Sequence, residues 1–130
     1  METQDIREIA FKTLYEAEVR ESKPSDIVID ETLGNKANEF IKMITDGVEA
    51  KNDEYNNIIS ENLKGWKLER VSKLSITAIK LALSEMENNP KVTPAIAIAE
   101  AVRLANKYEG DEASSFVNGV LGNYIRGKSN

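Results

Sequence analysis

Phe116-Val117-Asn118-Gly119-Val120-Leu121, continued by Gly122, Asn123 and Tyr124, is the run on which the reading of this chain turns. Phe116, Val117, Val120, Leu121 and Tyr124 recur at helical spacing, so one face of a short C-terminal helix is apolar. Gly119 and Gly122 fall inside that helix, where a glycine costs roughly 1 kcal/mol against alanine. The spacing therefore predicts a compensating close approach by another backbone, from the protein or from a ligand. Asn118 adds an amide donor and acceptor beside the first glycine. Two readings stay open. The run is a core helix whose small residues admit a neighbour, or a helix with one face in the core and its N-terminal turn toward a ligand.

The stretch before it repeats the helical pattern. Thr93-Pro94 is a helix start, Thr at the N-cap and Pro at the first helical position. The helix Ala95 to Tyr108 is apolar over most of its early surface, which predicts the central, most buried helix. Glu109-Gly110-Asp111 breaks it, with Asp111 placed to cap the last helix. Upstream, Ser75 is a candidate cap for a helix from Ile76 to about Asn88, with Ile76, Ile79, Leu83 and Met86 inward, and Asn88-Asn89-Pro90 is a turn.

Toward the N-terminus, Ile6, Ile9, Ala10, Thr13, Leu14 and Ala17 form one stripe over about residues 2–21, with Phe11 and Tyr15 at i, i+4. Pro24 ends that helix by pushing Lys23 out of the helical region. Ile27 to Leu33 reads as a brief helix closed by Gly34-Asn35. Ala37, Phe40, Ile41, Ile44 and Val48 mark a helix over about 36–50, with a bend expected at Gly47. Tyr55, Ile58, Ile59 and Leu63 mark a separate helix or its continuation past a kink. Gly65-Trp66-Lys67 punctuates the middle, and Trp66, the one tryptophan, reads as a packing anchor between the two halves. No segment alternates as a strand, and no internal repeat or low-complexity tract occurs. The expectation is an all-α fold: a single domain over 1–130, six to seven helices, in an N-terminal half of about 1–64 and a C-terminal half of about 65–130.

Composition narrows function. The 130 residues contain no His and no Cys, which removes imidazole bases, thiol nucleophiles, disulfides and zinc sites of Cys/His type. No nucleophile–base pair, glycine-rich phosphate loop or metal-ligand cluster is present, so no catalytic residue, metal or cofactor is assigned and an enzyme is the weaker class. Adjacent carboxylates such as Glu85/Glu87 and Asp111/Glu112 read as solvated faces. No apolar run approaches the ~20 residues a membrane-spanning helix needs. Met1 leads into Glu2 and Asp5, unlike a basic signal peptide, and the expected location is the cytoplasm. Net charge is −5, against indiscriminate nucleic-acid binding. Residues 1–65 hold 8 Lys/Arg against 15 Asp/Glu, net −7, and residues 66–130 hold 9 against 7, net +2. An anion-binding surface is expected to draw mainly on the second half.

Residues 116–121, FVNGVL, preceded by IAEAVRLANKY at 98–108, resemble the C-terminal signature of the NusB antitermination family. GWKLERVSKL at 65–74, LALSEM at 81–86 and DIREIAFKTLYEAEV at 5–19 extend the resemblance over most of the chain. It implies an all-helical fold of two packed halves and a transcription antitermination factor for ribosomal RNA operons. The implied partners are single-stranded boxA-type RNA, the small-subunit ribosomal protein NusE and the RNA polymerase antitermination complex, with no membrane. The chain departs from the family pattern in several places. Only Arg7 stands where the family opens with several arginines, and each lost phosphate contact weakens binding and flattens its salt dependence. Ser75-Ile76 replaces an acidic–basic pair, Ser84 a common tyrosine and Ser115 a basic residue, while Lys80 keeps the charge of a family arginine.

On this resemblance the RNA-binding candidates are Arg7, Lys12, Tyr15, Ser115, Phe116 and Asn118. Arg7 and Lys12 would neutralise phosphates, and Tyr15 and Phe116 either stack on unpaired bases or pack in the core. The partner-binding candidates are Ser75, Lys80 and Glu85. A protein-interaction or homodimeric module with reduced RNA binding is the first alternative, favoured by the missing arginines. An accessory domain of an RNA-modifying enzyme is the second.

Overall fold

Every apolar stripe in the sequence becomes helix, but the helices join and start differently from the spacing. The computed structural model describes residues 1–128. It contains five α-helices: α1 (Thr3–Arg20), α2 (Asn35–Glu61), α3 (Lys73–Asn88), α4 (Pro94–Glu109) and α5 (Asp111–Lys128). Three single 3-10 turns, Pro24–Asp26, Glu31–Leu33 and Leu68–Arg70, lie between them, and there is no strand among the described residues. The fold is all-α with five long helices rather than six or seven. One reason is that the stripes at 37–48 and 55–63 belong to a single helix, α2. Its kink is at Lys51 (φ −122, ψ 24), not at Gly47. The other is that Ile27 to Leu33 forms no α-helix: the chain runs extended from Ile27 and makes only a single 3-10 turn at Glu31–Leu33, where the Asp30 carboxylate accepts from Thr32 N–H at 2.9 Å.

Local chemistry sets the ends. Glu21 closes α1 in the left-handed region (φ 54), and Ser22 N–H donates to Ala17 O at 3.0 Å before Pro24 arrives. Thr93 Oγ1 caps α4 by accepting from Ile96 N–H at 3.2 Å. α3 begins one turn earlier than expected: its cap is Ser72, whose hydroxyl accepts from Ser75 N–H at 3.1 Å. Asp111 does not cap α5 but is its first residue, and its carboxylate instead accepts from Asn106 Nδ2 at 2.8 Å.

The central helix is α3, not α4. It packs against each of the other four, and residues 77–85 are buried without interruption. α4 buries Ala97, Ala101, Leu104 and Ala105, half-buries Ile98 and leaves Ala95, Ile96 and Ala99 exposed. The alanines on its early turns let it lie close to its neighbours, but no element covers its outer face. The close approach that glycine permits occurs where α2 crosses α3. A Cβ on Gly47 would run into the Ser84 hydroxyl and stand 2.5 Å from Asn88 Nδ2. That hydroxyl is fixed in place, donating to Ile44 O at 2.7 Å. The glycines of α5 have no such role: Gly119 faces open space and Gly122 meets only the Arg126 guanidinium, at 3.2 Å.

Candidate nucleic-acid interface

α1 carries the first group of candidates, and its side chains reach those of α4. Arg7 is 4% exposed. Its Nε and Nη2 donate to Glu85 Oε1 and Oε2, both at 2.7 Å, and Nη1 donates to Glu100 Oε1 at 2.8 Å. Burial disfavours the guanidinium charge, but Glu85 and Glu100 outweigh it and the Arg7 pKa is raised above its ordinary value. Burial pushes the Glu100 carboxyl up, but hydrogen bonds from Arg103 and Gln4 and the Arg103 and Arg7 charges outweigh it and bring its pKa below the ordinary value. A phosphate could reach Arg7 only by displacing one of these carboxylates, so the expected phosphate contact is instead a core ion pair joining α1, α3 and α4.

Further along the same face Glu8 accepts from Lys107 Nζ at 2.7 Å and from the Tyr108 hydroxyl. These two bonds hold the Glu8 carboxyl below its ordinary range, and the Glu8 bond pushes Tyr108 up to about 12. Phe11 stacks between Tyr15, centroids 6.5 Å apart, and Tyr108, at 5.7 Å. Tyr15 is half-buried at the end of this stack, and Lys12 is exposed beside it.

Ser115 and Asn118, three positions apart on α5, are both exposed on its outer face. Phe116 points the other way and is buried, with Trp66 edge-on at 5.0 Å and 69°. Tyr15 and Phe116 thus sit in separate aromatic contacts and do not form one stacking platform. The three partner-binding candidates are buried as well. Ser75 accepts from the Ser72 hydroxyl at 3.0 Å. Lys80 Nζ donates to Asn52 Oδ1 at 2.7 Å and Glu18 Oε2 at 3.2 Å, at the floor of a cleft of about 410 Å³ between α1, α2 and α3. Glu85 holds Arg7. Lys80 and Glu85 tie helices together, Ser75 bonds only the cap of its own helix, and all three side chains are buried away from any partner surface.

The residues that spacing passed over are in the loop before α3. Trp66 is 41% exposed rather than enclosed between halves. It borders a cleft of about 250 Å³ shared with Arg70, Ser75, Glu112 and Phe116. Lys64, Lys67, Arg70 and Lys73 surround it in sequence with Glu69 as the only acid, a local charge density that was legible without coordinates. Among the described residues no group of three or more Asp/Glu could hold a metal ion, and no helix is long and apolar enough to cross a membrane.

The model of the NusB family matches residues 4–126. The chain belongs to the NusB family. The transcription antitermination protein NusB of Acetivibrio thermocellus is 36% identical over 126 residues, covering 94% of this chain and 87% of that one. A structure of T. maritima NusB superposes with a TM-score of 0.86 at 26% identity, covering 97% of this chain and 92% of that one. The NusB-like chain in a crystal structure of antitermination factors NusB and NusE in complex with dsRNA superposes with a TM-score of 0.82 at 26% identity, covering 95% and 96%. As a NusB family member the chain carries the family's helical framework, with α3 at its centre.

Proposed function

We propose that this chain is a non-catalytic, RNA-binding transcription antitermination factor that acts on ribosomal RNA operons by binding boxA-type RNA together with the ribosomal protein NusE. The observation that carries this is family membership over nearly the whole chain: the Acetivibrio thermocellus relative, aligned with 94% of it, is a transcription antitermination protein. A NusB relative crystallised with NusE and RNA supports both partners. On this reading the exposed candidates Lys12, Ser115 and Asn118, with the rim of Tyr15, meet RNA. Arg7, Lys80 and Glu85 act from inside by holding α1 to α2, α3 and α4, Ser75 by completing the cap of α3, and Phe116 acts through the tryptophan it supports. The protein works beside RNA polymerase in the cytoplasm.

The test is fluorescence anisotropy with labelled boxA-type RNA, a scrambled RNA of equal length and a duplex form, each with and without NusE. A preference for boxA that strengthens with NusE is expected. Few phosphate contacts predict a shallow salt dependence, about −0.7 in log–log slope per phosphate on a single strand. No preference for boxA over scrambled RNA in the presence of NusE would return the chain to the protein-interaction reading.

A further inference from the structure

The geometry points to a base-stacking subsite for single-stranded RNA built from the 64–73 segment and the start of α5, with Trp66 as the platform and Lys64 and Lys67 as the phosphate contacts. It deepens the RNA-binding reading above and rests on it.

The first argument is which cations are available. On α1 and α4, Arg7, Arg103 and Lys107 are each engaged by a carboxylate. Lys64, Lys67, Arg70 and Lys73 are exposed, and among the described residues no ion pair engages any of them. In a chain of net charge −5 this is a local reversal of sign. Neutralising a phosphate needs a cation that is not already neutralised by the protein.

The second argument is the tryptophan. Lys64 (φ 41) and Gly65 (φ 89) both adopt the left-handed region, and Trp66 N–H donates back to Leu63 O at 3.1 Å. This tight turn lifts the indole out of the core. A left-handed lysine is unfavourable and persists where the surrounding structure requires it. Phe116 braces the ring from the α5 side at 5.0 Å, and 41% of the residue stays exposed. Leu68 beside it is 44% exposed. A part-exposed aromatic braced on one side and flanked by cations without ion-pair partners is the arrangement that holds unpaired nucleotides, the ring stacking on the base and the cations following the backbone.

The third argument is the cleft between Trp66 and Phe116. Arg70 lines it together with Glu109 and Glu112. Those carboxylates repel phosphate, so the strand's backbone lies along Lys64 and Lys67 and a base, not a phosphate, enters the cleft.

Because Trp66 is the only tryptophan, its emission reports on this site directly. The full chain is titrated with boxA-type and scrambled single-stranded RNA, following Trp66 emission and RNA anisotropy together. Saturable quenching with the same midpoint in both signals is expected. Trp66→Ala weakens binding by about 5- to 150-fold, the range for one stacked base. Lys64→Gln with Lys67→Gln lowers the magnitude of the log–log salt slope by about 1.4. Thermal melts followed by circular dichroism establish that these surface variants are folded, and Trp66→Phe retains part of the binding. If wild type binds RNA and both the Trp66→Ala affinity and the lysine-pair slope are unchanged, the subsite is wrong and the RNA-binding reading stands. If wild type binds no RNA, both fall. Quenching by NusE alone, with none by RNA, reassigns the patch to a protein contact and overturns the proposal.

Discussion

The Arg7 guanidinium and the Glu85 carboxylate, 78 positions apart, meet as a two-bond fork with Nε–Oε1 and Nη2–Oε2 both at 2.7 Å, and neither side chain is more than 5% exposed. Glu100 closes the cluster from α4. α1 is thereby held to the distant α3–α4 pair. Removing one partner of such a buried pair leaves a charge without compensation, which costs about 3–5 kcal/mol. Arg7→Ala is expected to lose that much in urea unfolding. The double variant Arg7→Met/Glu85→Leu is expected to lose less than the sum of its single changes, which a double-mutant cycle measures.

Glu8 gives the acid limb of stability. Its pKa in the folded chain lies below the ordinary 4.5 because Lys107 and Tyr108 hydrogen-bond the ionised form. A depressed carboxyl contributes stability that is present above its unfolded pKa and lost as pH falls through the folded one. Glu8→Gln is expected to be less stable than wild type at neutral pH and to converge with it in acid. Melting temperature followed across pH checks this: a constant difference down to the lowest pH would mean that the α1–α4 link does not depend on the Glu8 charge.

Gly47 and Gly119 are predicted to respond in opposite directions to alanine. Gly47→Ala forces a Cβ against Ser84 and Asn88 at the α2–α3 crossing, and overpacking of this kind costs about 1–3 kcal/mol. Gly119→Ala adds a methyl group in open space on a helix and gains up to about 1 kcal/mol. Chemical denaturation of the two variants reads both signs.

The same method separates the two most apolar helices. Ile79 of α3 is 0% exposed, and Ile79→Ala is expected to lose about 2–5 kcal/mol. Ile96 of α4 is 48% exposed, and Ile96→Ala is expected to stay within about 0.5 kcal/mol of wild type. Equal losses would mean that α4 is as central as its composition suggests.

Helix positions and several ends were readable from residue order because their causes are local. A stripe such as Phe116, Val117, Val120 and Leu121 needs only the helical period, and Thr93-Pro94 needs only the first turn. Family membership was readable for a related reason, since FVNGVL and its neighbours occur as continuous strings. The role of each polar candidate was not. Lys80 finds Glu18 62 positions away and Arg7 finds Glu85 78 away, and no window of sequence states whether a cation will meet a carboxylate or water. For the same reason Gly47 rather than Gly119 marks a close approach, α3 rather than α4 occupies the centre, and Trp66 faces outward. Period and capping act within a turn or two of the chain, whereas burial and charge pairing are properties of surfaces that exist only once distant helices have met.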